Sequence, residues 1–246
     1  MKALLSFENV SKRYPDGLRE IVVLENASFE IEQGVFTGVW GARRAGKSTL
    51  LRLIAGIESP DAGVVKFAGC DLAEMSTLQR ERLLRGEIAL MSPGDWHPSP
   101  HETAVEYVAL SLTSSASSVA EAKRSARHAL EQVGVARQAD DLTGCLSSAE
   151  RMRVMLARVL IRRPRLLLVD EPACIPSLTE RDALYNLLRE LTRESGTTLV
   201  VASEEMAPLH GAEVVMSIGD GELCSTDERG AVVRFPGPTP AAQPRP

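Results

Sequence analysis

Over the first forty residues, short apolar runs alternate with turn signals: LLSFENV, then Pro15-Asp16-Gly17, then IVVLENASFEI, then Gly34 and VFTGVW. Alternation of this kind predicts a β-rich N-terminal portion whose last strand ends at Gly41. Residues Lys47 to Ile54 have helical composition, and Gly56 is placed to stop that helix. Ser59-Pro60-Asp61-Ala62-Gly63 reads as a turn, and VVKFAG beyond it as a strand. LAEMSTLQRERLLRG has helical apolar spacing and ends in Gly86, after which the strand IALM runs into the Pro- and His-rich loop SPGDWHPSPHE. From Thr103 to about Leu142 the pattern is helical, with Ser118 and Glu121 forming a capping box before a helix that ends near Gly134. The Ser-rich stretch Ser111 to Ser118 is the expected flexible loop.

From Leu146 the pattern gives a helix, the buried strand LLLVD, the helix LTERDALYNLLRELTRE, the buried strand TLVVAS, and short strands around EVVMSI and GELCS. Strands that alternate with helices, two of them almost wholly apolar, predict an α/β fold with a parallel sheet covered on both faces. The last dozen residues, FPGPTPAAQPRP, are Pro-rich with too little apolar content to fold, so 235–246 is expected to be a disordered tail. No internal repeat is visible.

The length of 246 residues suits one large domain or two intimate subdomains. Aromatic residues make up only 4% of the chain, so its core must be filled mainly by Leu, Val, Ile and Ala. A net charge of -5 provides no global basic field for nucleic acid, which argues against it as a partner. Cys70, Cys145, Cys174 and Cys224 stand singly with no CxxC pair. They read as small half-buried residues in a reducing compartment rather than a metal or disulfide framework. The opening MKALLSFENV lacks the apolar core of a secretory signal, and no apolar run approaches the ~20 residues of a membrane-spanning helix. A membrane role would then require a separate partner chain.

The strand VFTGVW leads into Gly41-Ala42-Arg43-Arg44-Ala45-Gly46-Lys47-Ser48-Thr49 and then a helix. This is a GxxxxGK(S/T) P-loop in its strand–loop–helix setting. Successive backbone N–H groups and the helix N-terminus cradle phosphate oxygens. Lys47 adds a point charge at the β- and γ-phosphates, and the Ser48 hydroxyl ligates Mg²⁺. A second motif agrees with it: Leu166-Leu167-Leu168-Val169-Asp170-Glu171-Pro172 delivers two carboxylates at the C-terminal end of a buried strand, where open α/β sheets bind ligands. Asp170 is suited to hold Mg²⁺ through its water shell, and Glu171 to polarise an attacking water.

With both motifs in place, the sequence resembles the ATP-binding cassette (ABC) ATPase family from about Leu5 to about Asp227. The resemblance implies a P-loop NTPase fold: a RecA-like parallel core, an N-terminal antiparallel β portion and an α-helical subdomain near 95–150, within a domain spanning 1–230. Tyr14 stands where the family stacks an aromatic on adenine. Ser147, Ser148, Ala149 and Glu150, after Leu146, stand where it has its LSGGQ signature. In this family two cassettes pack head to tail, each ATP lying between one P-loop and the partner's signature. The implied partners are a membrane permease subunit and a second ABC ATPase, with the chain peripheral at the cytoplasmic face of the plasma membrane. The segment LAEMSTLQRERLLRGEIALM is similar to the subgroup serving lipoprotein release, macrolide export and cell division.

Five departures from the family pattern bear on catalysis. Arg44 occupies the P-loop's middle glycine, and the segment from Ile88 to Thr103 contains no glutamine to touch Mg²⁺ and the attacking water. Both signature glycines are replaced, by Ser148 and Ala149, and its glutamine is Glu150. Ser177 replaces an aspartate in the loop after the acidic strand, and Glu204 stands where the family has its switch histidine. A carboxylate ~5 Å from a γ-phosphate, at an effective dielectric of ~20, is repelled by roughly 3 kcal/mol per unit of phosphate charge. Losing one preorganised donor to the transition state costs about 10²–10³ in rate.

Two further clusters have bland readings. His97 and His101, with Glu102, read as a solvated or partner-facing loop, and the arginines at 151, 153, 158, 162, 163 and 165 as a solvated helix face. Three functions follow from the resemblance. The leading one is an ATP-Mg-binding, hydrolysis-impaired subunit paired as a heterodimer with a more complete ATPase. The others are an ordinary hydrolysing transporter ATPase and a soluble ABC protein of translation or DNA repair.

Overall fold

Buried and exposed residues alternate in short runs through the N-terminal segment, as from Phe29 to Glu32, and such runs suit it to sheet. The computed structural model describes residues 3–17, 19–99, 101–112, 118–171, 177–226 and 232–234. In chain order these form β1 (Ala3–Asp16), β2 (Arg19–Glu32), β3 (Phe36–Trp40), α1 (Lys47–Ile54), β4 (Ala62–Phe67), β5 (Cys70–Asp71), α2 (Thr77–Gly86) and β6 (Ile88–Met91). They continue as α3 (Ala104–Ala109), α4 (Val119–Gln132), α5 (Ser148–Leu160), β7 (Leu166–Asp170), α6 (Leu178–Ser195), β8 (Thr198–Ser203), β9 (Val214–Gly219), β10 (Glu222–Thr226) and β11 (Val232–Arg234). The fold is α/β and divides into two compact units, 1–80 with 202–246, and 81–201. The Pro-rich tail lies outside the described residues.

In the first unit an antiparallel sheet runs β2-β1-β4-β5. Phe7 and Phe29 face each other across β1 and β2, with rings stacked at 4.4 Å, and both are buried. A cross-strand aromatic pair of this kind fixes register as well as burying area. The outer strand β2 turns Glu20, Glu25, Glu30 and Glu32 to solvent while Leu24, Phe29 and Ile31 point inward. The same unit holds β3 and β9 in parallel, with β10 and β11 added antiparallel beyond β9. The expected parallel core is therefore mixed at this edge. Short connections from β9 to β10 and β11 permit only hairpin pairing there.

In the second unit β6 and β7 pair in parallel from Ile88–Leu166 to Met91–Val169, in the strand order β8-β7-β6. Leu166 to Val169 and all of β8 are buried, as their apolar runs require. Four helices begin on a polar cap: Thr103, Ser118, Ser147 and Ser177 each accept a hydrogen bond from the backbone N–H of a glutamate three residues on. Each cap satisfies an amide that the helix itself cannot.

The arginines read as a solvated face turn back onto the protein instead. Arg151 donates to the Leu146 carbonyl, Arg153 to Val133, and Arg162 to Arg85. Arg158 donates to the Tyr107 carbonyl at 2.7 Å and lies 4.0 Å over the Tyr107 ring, while Arg165 pairs with Glu87 at 3.0 Å. Of the six, Arg163 is exposed. Long arginine stems cover apolar surface and their planar forks reach carbonyls left open at element ends, which a short solvated charge would not do. The cysteines also differ from expectation. Cys70 and Cys145 are exposed, on a two-residue edge strand and a 3-10 turn, and only Cys224 is half-buried; Cys174 lies outside the described residues. Among the described residues no helix is long and apolar enough to cross a membrane.

Candidate functional site

The P-loop begins where β3 runs out. β3 is buried along Phe36 to Val39 and held parallel to β9 up to the Trp40–Ser217 pair. Gly41 then donates its N–H to the Ser203 carbonyl, and Ala45 N–H closes a turn onto Ala42. Two of the motif's glycines are required by space. A Cβ on Gly41 would stand 2.6 Å from the Ile218 carbonyl oxygen, and one on Gly46, whose φ is 103°, 2.4 Å from Val23 Cγ1. The loop is therefore pressed against the sheet by its own lack of side chains.

Arg44 adopts φ 64°, the left-handed conformation that its missing glycine would adopt freely. The loop keeps a left-handed residue there at a conformational cost of about 1–2 kcal/mol. Arg44→Gly relieves that cost but adds about 0.5–1 kcal/mol of chain entropy. A net gain of about 0.5–1 kcal/mol, seen as a rise of roughly 1–4 °C in melting temperature, is expected. An unchanged or lower midpoint would show that the Arg44 side chain compensates for its backbone. Arg43 and Arg44 are both exposed.

α1 opens unlike the four capped helices. Its N-cap is Gly46, with no side-chain cap and no acidic residue in the first turn. This end of the helix, where the dipole favours an anion, therefore carries no capping side chain of its own in a ligand's way. Lys47, only 5% exposed, folds its ammonium across the loop and donates to the Gly41 and Ala42 carbonyls, each at 2.9 Å. Glu204 Oε1 lies 3.9 Å from the same nitrogen. Ser48 and Thr49 are half-buried in the first turn. Tyr14, on β1, donates its hydroxyl to Glu58 and shares a hydrogen bond with Thr49; burial first, then Glu58, raises its pKa. Lys12 Nζ sits 5.3 Å from the centre of the Tyr14 ring.

In the second unit, β7 delivers Asp170 and Glu171, both half-buried, and Glu171 has φ 38°. A non-glycine residue held in this region is strained, and such strain clusters at functional sites. β6 ends one residue before Ser92, where the resemblance expects a glutamine to follow. Here the chain turns into a 3-10 segment, Pro93–Asp95, and Ser92 and Asp95 cap each other. The five loop residues after Glu171 lie outside the described residues, but Ser177 is placed: its side chain caps α6. His97 and His101 are exposed.

The signature segment makes a complete capping box at the start of α5. Ser147 N–H donates to the Glu150 carboxylate at 2.8 Å, and Glu150 N–H returns a bond to Ser147 Oγ at 3.3 Å. The Ser147 backbone N–H, then its hydroxyl, hold the Glu150 carboxyl below the usual carboxylate range. This helix end is thus already occupied by an anion of its own. The Ser-x-x-Glu spacing at 147–150 is the sequence signal for the box, and it was open to reading at the outset. No local signal placed Glu204 beside Lys47, because the two meet through the fold.

A buried strand, a glycine-pinned loop and an uncapped helix carrying an inward lysine define a P-loop protein. The chain belongs to the ABC transporter family, whose model matches residues 24–174. The structure of the ATP-binding cassette MJ0796 as a dimer in a post-hydrolysis state, bound to ADP and Pi, is similar at a TM-score of 0.81. It has 27% identity over 94% of this chain and 99% of that one. A second dimeric structure of MJ0796, a bacterial ABC transporter cassette, matches equally, with TM-score 0.81 and 27% identity over 94% and 99% of the two chains. CbiO1 from Clostridium perfringens, part of the ABC transporter complex cbiONQ, matches at 0.80 with 25% identity over 91% and 87% of the respective chains.

Proposed function

We propose that this chain is the nucleotide-binding subunit of an ABC transporter, that it binds ATP with Mg²⁺, and that it hydrolyses ATP slowly. The observation that carries the reading is a helix α1 that opens at Gly46 with no side-chain cap behind a glycine-pinned loop, with Lys47 held inward across it. Ser48 and Asp170 are the assigned Mg²⁺ ligands, Tyr14 the adenine contact, and Gly41 to Thr49 the phosphate cradle. Slow turnover follows from Glu204 at the switch position and from the lack of a glutamine between Ile88 and Thr103. MJ0796 as a dimer and CbiO1 within its transporter complex support a second cassette and further transporter chains as partners; a membrane permease, with this chain at the cytoplasmic face, completes the proposal. Given the altered signature, the second ATPase is a different chain, so the pair is a heterodimer.

The test is steady-state ATPase of the purified chain. Turnover close to background is expected, and Glu171→Gln, which removes the water-polarising carboxylate of a working site, changes it little. The alternative, an ordinary hydrolysing ATPase, draws on the strained backbone at Glu171. A clear fall in turnover on that substitution decides for the alternative.

A further inference from the structure

Two hydrogen bonds tie the end of β8 and the residue after it to the P-loop strand, and a third folds that segment on itself. Gly41 N–H donates to the Ser203 carbonyl at 3.3 Å, the Trp40 indole N–H to the Glu204 carbonyl at 3.0 Å, and Glu205 N–H to Ser203 Oγ at 3.0 Å. With its backbone held there, Glu204 brings its carboxylate to 3.9 Å from Lys47 Nζ. The two side chains differ in access: Lys47 is 5% exposed and Glu204 is 42% exposed. The carboxylate therefore meets the ammonium from the solvent side, and it has room to swing away.

In a P-loop the lysine reaches the β- and γ-phosphates. A phosphate oxygen at hydrogen-bond distance from Nζ then lies at most about 7 Å from the Glu204 oxygen. That separation is inside one Debye length at physiological salt, so the like charges repel, although water weakens the effect at this exposed position. A triphosphate adds a terminal phosphate with its own charge to this region. A diphosphate lacks that group and meets Glu204 with less charge.

We propose that Glu204 is a specificity-determining residue that shifts the P-loop's preference from nucleoside triphosphate toward nucleoside diphosphate. The inference rests on the nucleotide-binding reading above. The carboxylate serves as an internal counter-anion for Lys47. A triphosphate must displace it into solvent before its terminal phosphate can use the ammonium, whereas a diphosphate uses the α1 amides with less opposition. The site so built retains diphosphate and admits triphosphate reluctantly.

The experiment titrates Mg-ATP and Mg-ADP separately into the full chain, as wild type, Glu204→Gln and Glu204→Ala, and compares the ratio Kd(ATP)/Kd(ADP). Both substitutions are expected to lower the ratio roughly tenfold, through tighter ATP binding more than any change in ADP binding. Glu204→Gln keeps the shape of the side chain, and Glu204→Ala tests whether charge rather than a new amide contact is responsible. Binding of both nucleotides with a ratio unchanged in the two variants overturns the inference and leaves the nucleotide-binding reading standing. Failure of the wild type to bind either nucleotide overturns that reading and the inference with it.

Discussion

Lys47→Ala weakens binding of a fluorescent ATP analogue by about 10- to 150-fold. The figure corresponds to the loss of one charge-assisted hydrogen bond, about 1.5–3 kcal/mol, at a site where water does not compete well. Lys47 is almost fully buried, and its ammonium is already desolvated and aimed over the loop by the Gly41 and Ala42 carbonyls. A phosphate that replaces those carbonyls meets a preorganised charge, so little of the bond's energy is lost to ordering a flexible side chain. Truncation removes the charge and also leaves two carbonyls to find water. A thermal melt run beside the titration separates that structural loss from the loss of ligand. Equal affinity of wild type and variant would remove the P-loop from the proposed function.

The second large effect concerns the partner. Reconstituted with the second ATPase proposed above, the chain carrying Ser148→Gly, Ala149→Gly and Glu150→Gln together is expected to raise ATPase at least tenfold. The reason lies at the N-terminus of α5, where Ser147 and Glu150 satisfy each other and the Glu150 carboxyl is held ionised. A helix end that already bears a carboxylate is a poor host for the phosphate of a facing nucleotide. On the proposed signature role, Ser148 and Ala149 add side chains where glycine backbone would allow closer approach. Glutamine at 150 keeps the capping box and removes the charge, while two glycines in the first turn cost stability of roughly 1 kcal/mol each at most. Tenfold in rate asks for only ~1.4 kcal/mol of barrier, well within the reach of one removed charge. A flat rate in the restored pair, or a chain found in cells only as a homodimer, defeats the heterodimer and its altered signature as the cause.

Local features were the legible ones. The limits of α1 at Lys47 and Ile54, the buried β7 and the long α6 follow from motif and periodicity, since each is decided within a dozen residues. Apolar spacing alone starts α2 too early: the Asp71 side chain accepts from Ala73 N–H, Ser76 pairs with Gln79, and the helix begins only at Thr77. In the sequence β1 and β2 show only shorter runs, because bulges, with Asn9 and Asn26 at φ 51° and 52°, break their two-residue period. Arg158 finds Tyr107, and Lys47 finds Glu204, only after distant segments are brought together. A single sequence offers no periodicity from which such pairs can be read.

The exposed glutamates along β2 bear on how the protein behaves when concentrated. An outer strand of fourteen residues, engaged at Glu25 through its N–H to the Gly221 carbonyl, still carries backbone donors and acceptors that a second molecule could extend into a continuous ribbon. If two copies approached along that edge, the acids of one would confront those of the other, with Glu20 and Glu25 partly offset by Arg13 and Glu30 and Glu32 beyond its reach. The kinked backbone at Asn26 would also keep the two edges out of step. Ribbon growth through this strand is therefore opposed by charge and by shape, so crowding need not drive the chain into fibrous aggregates.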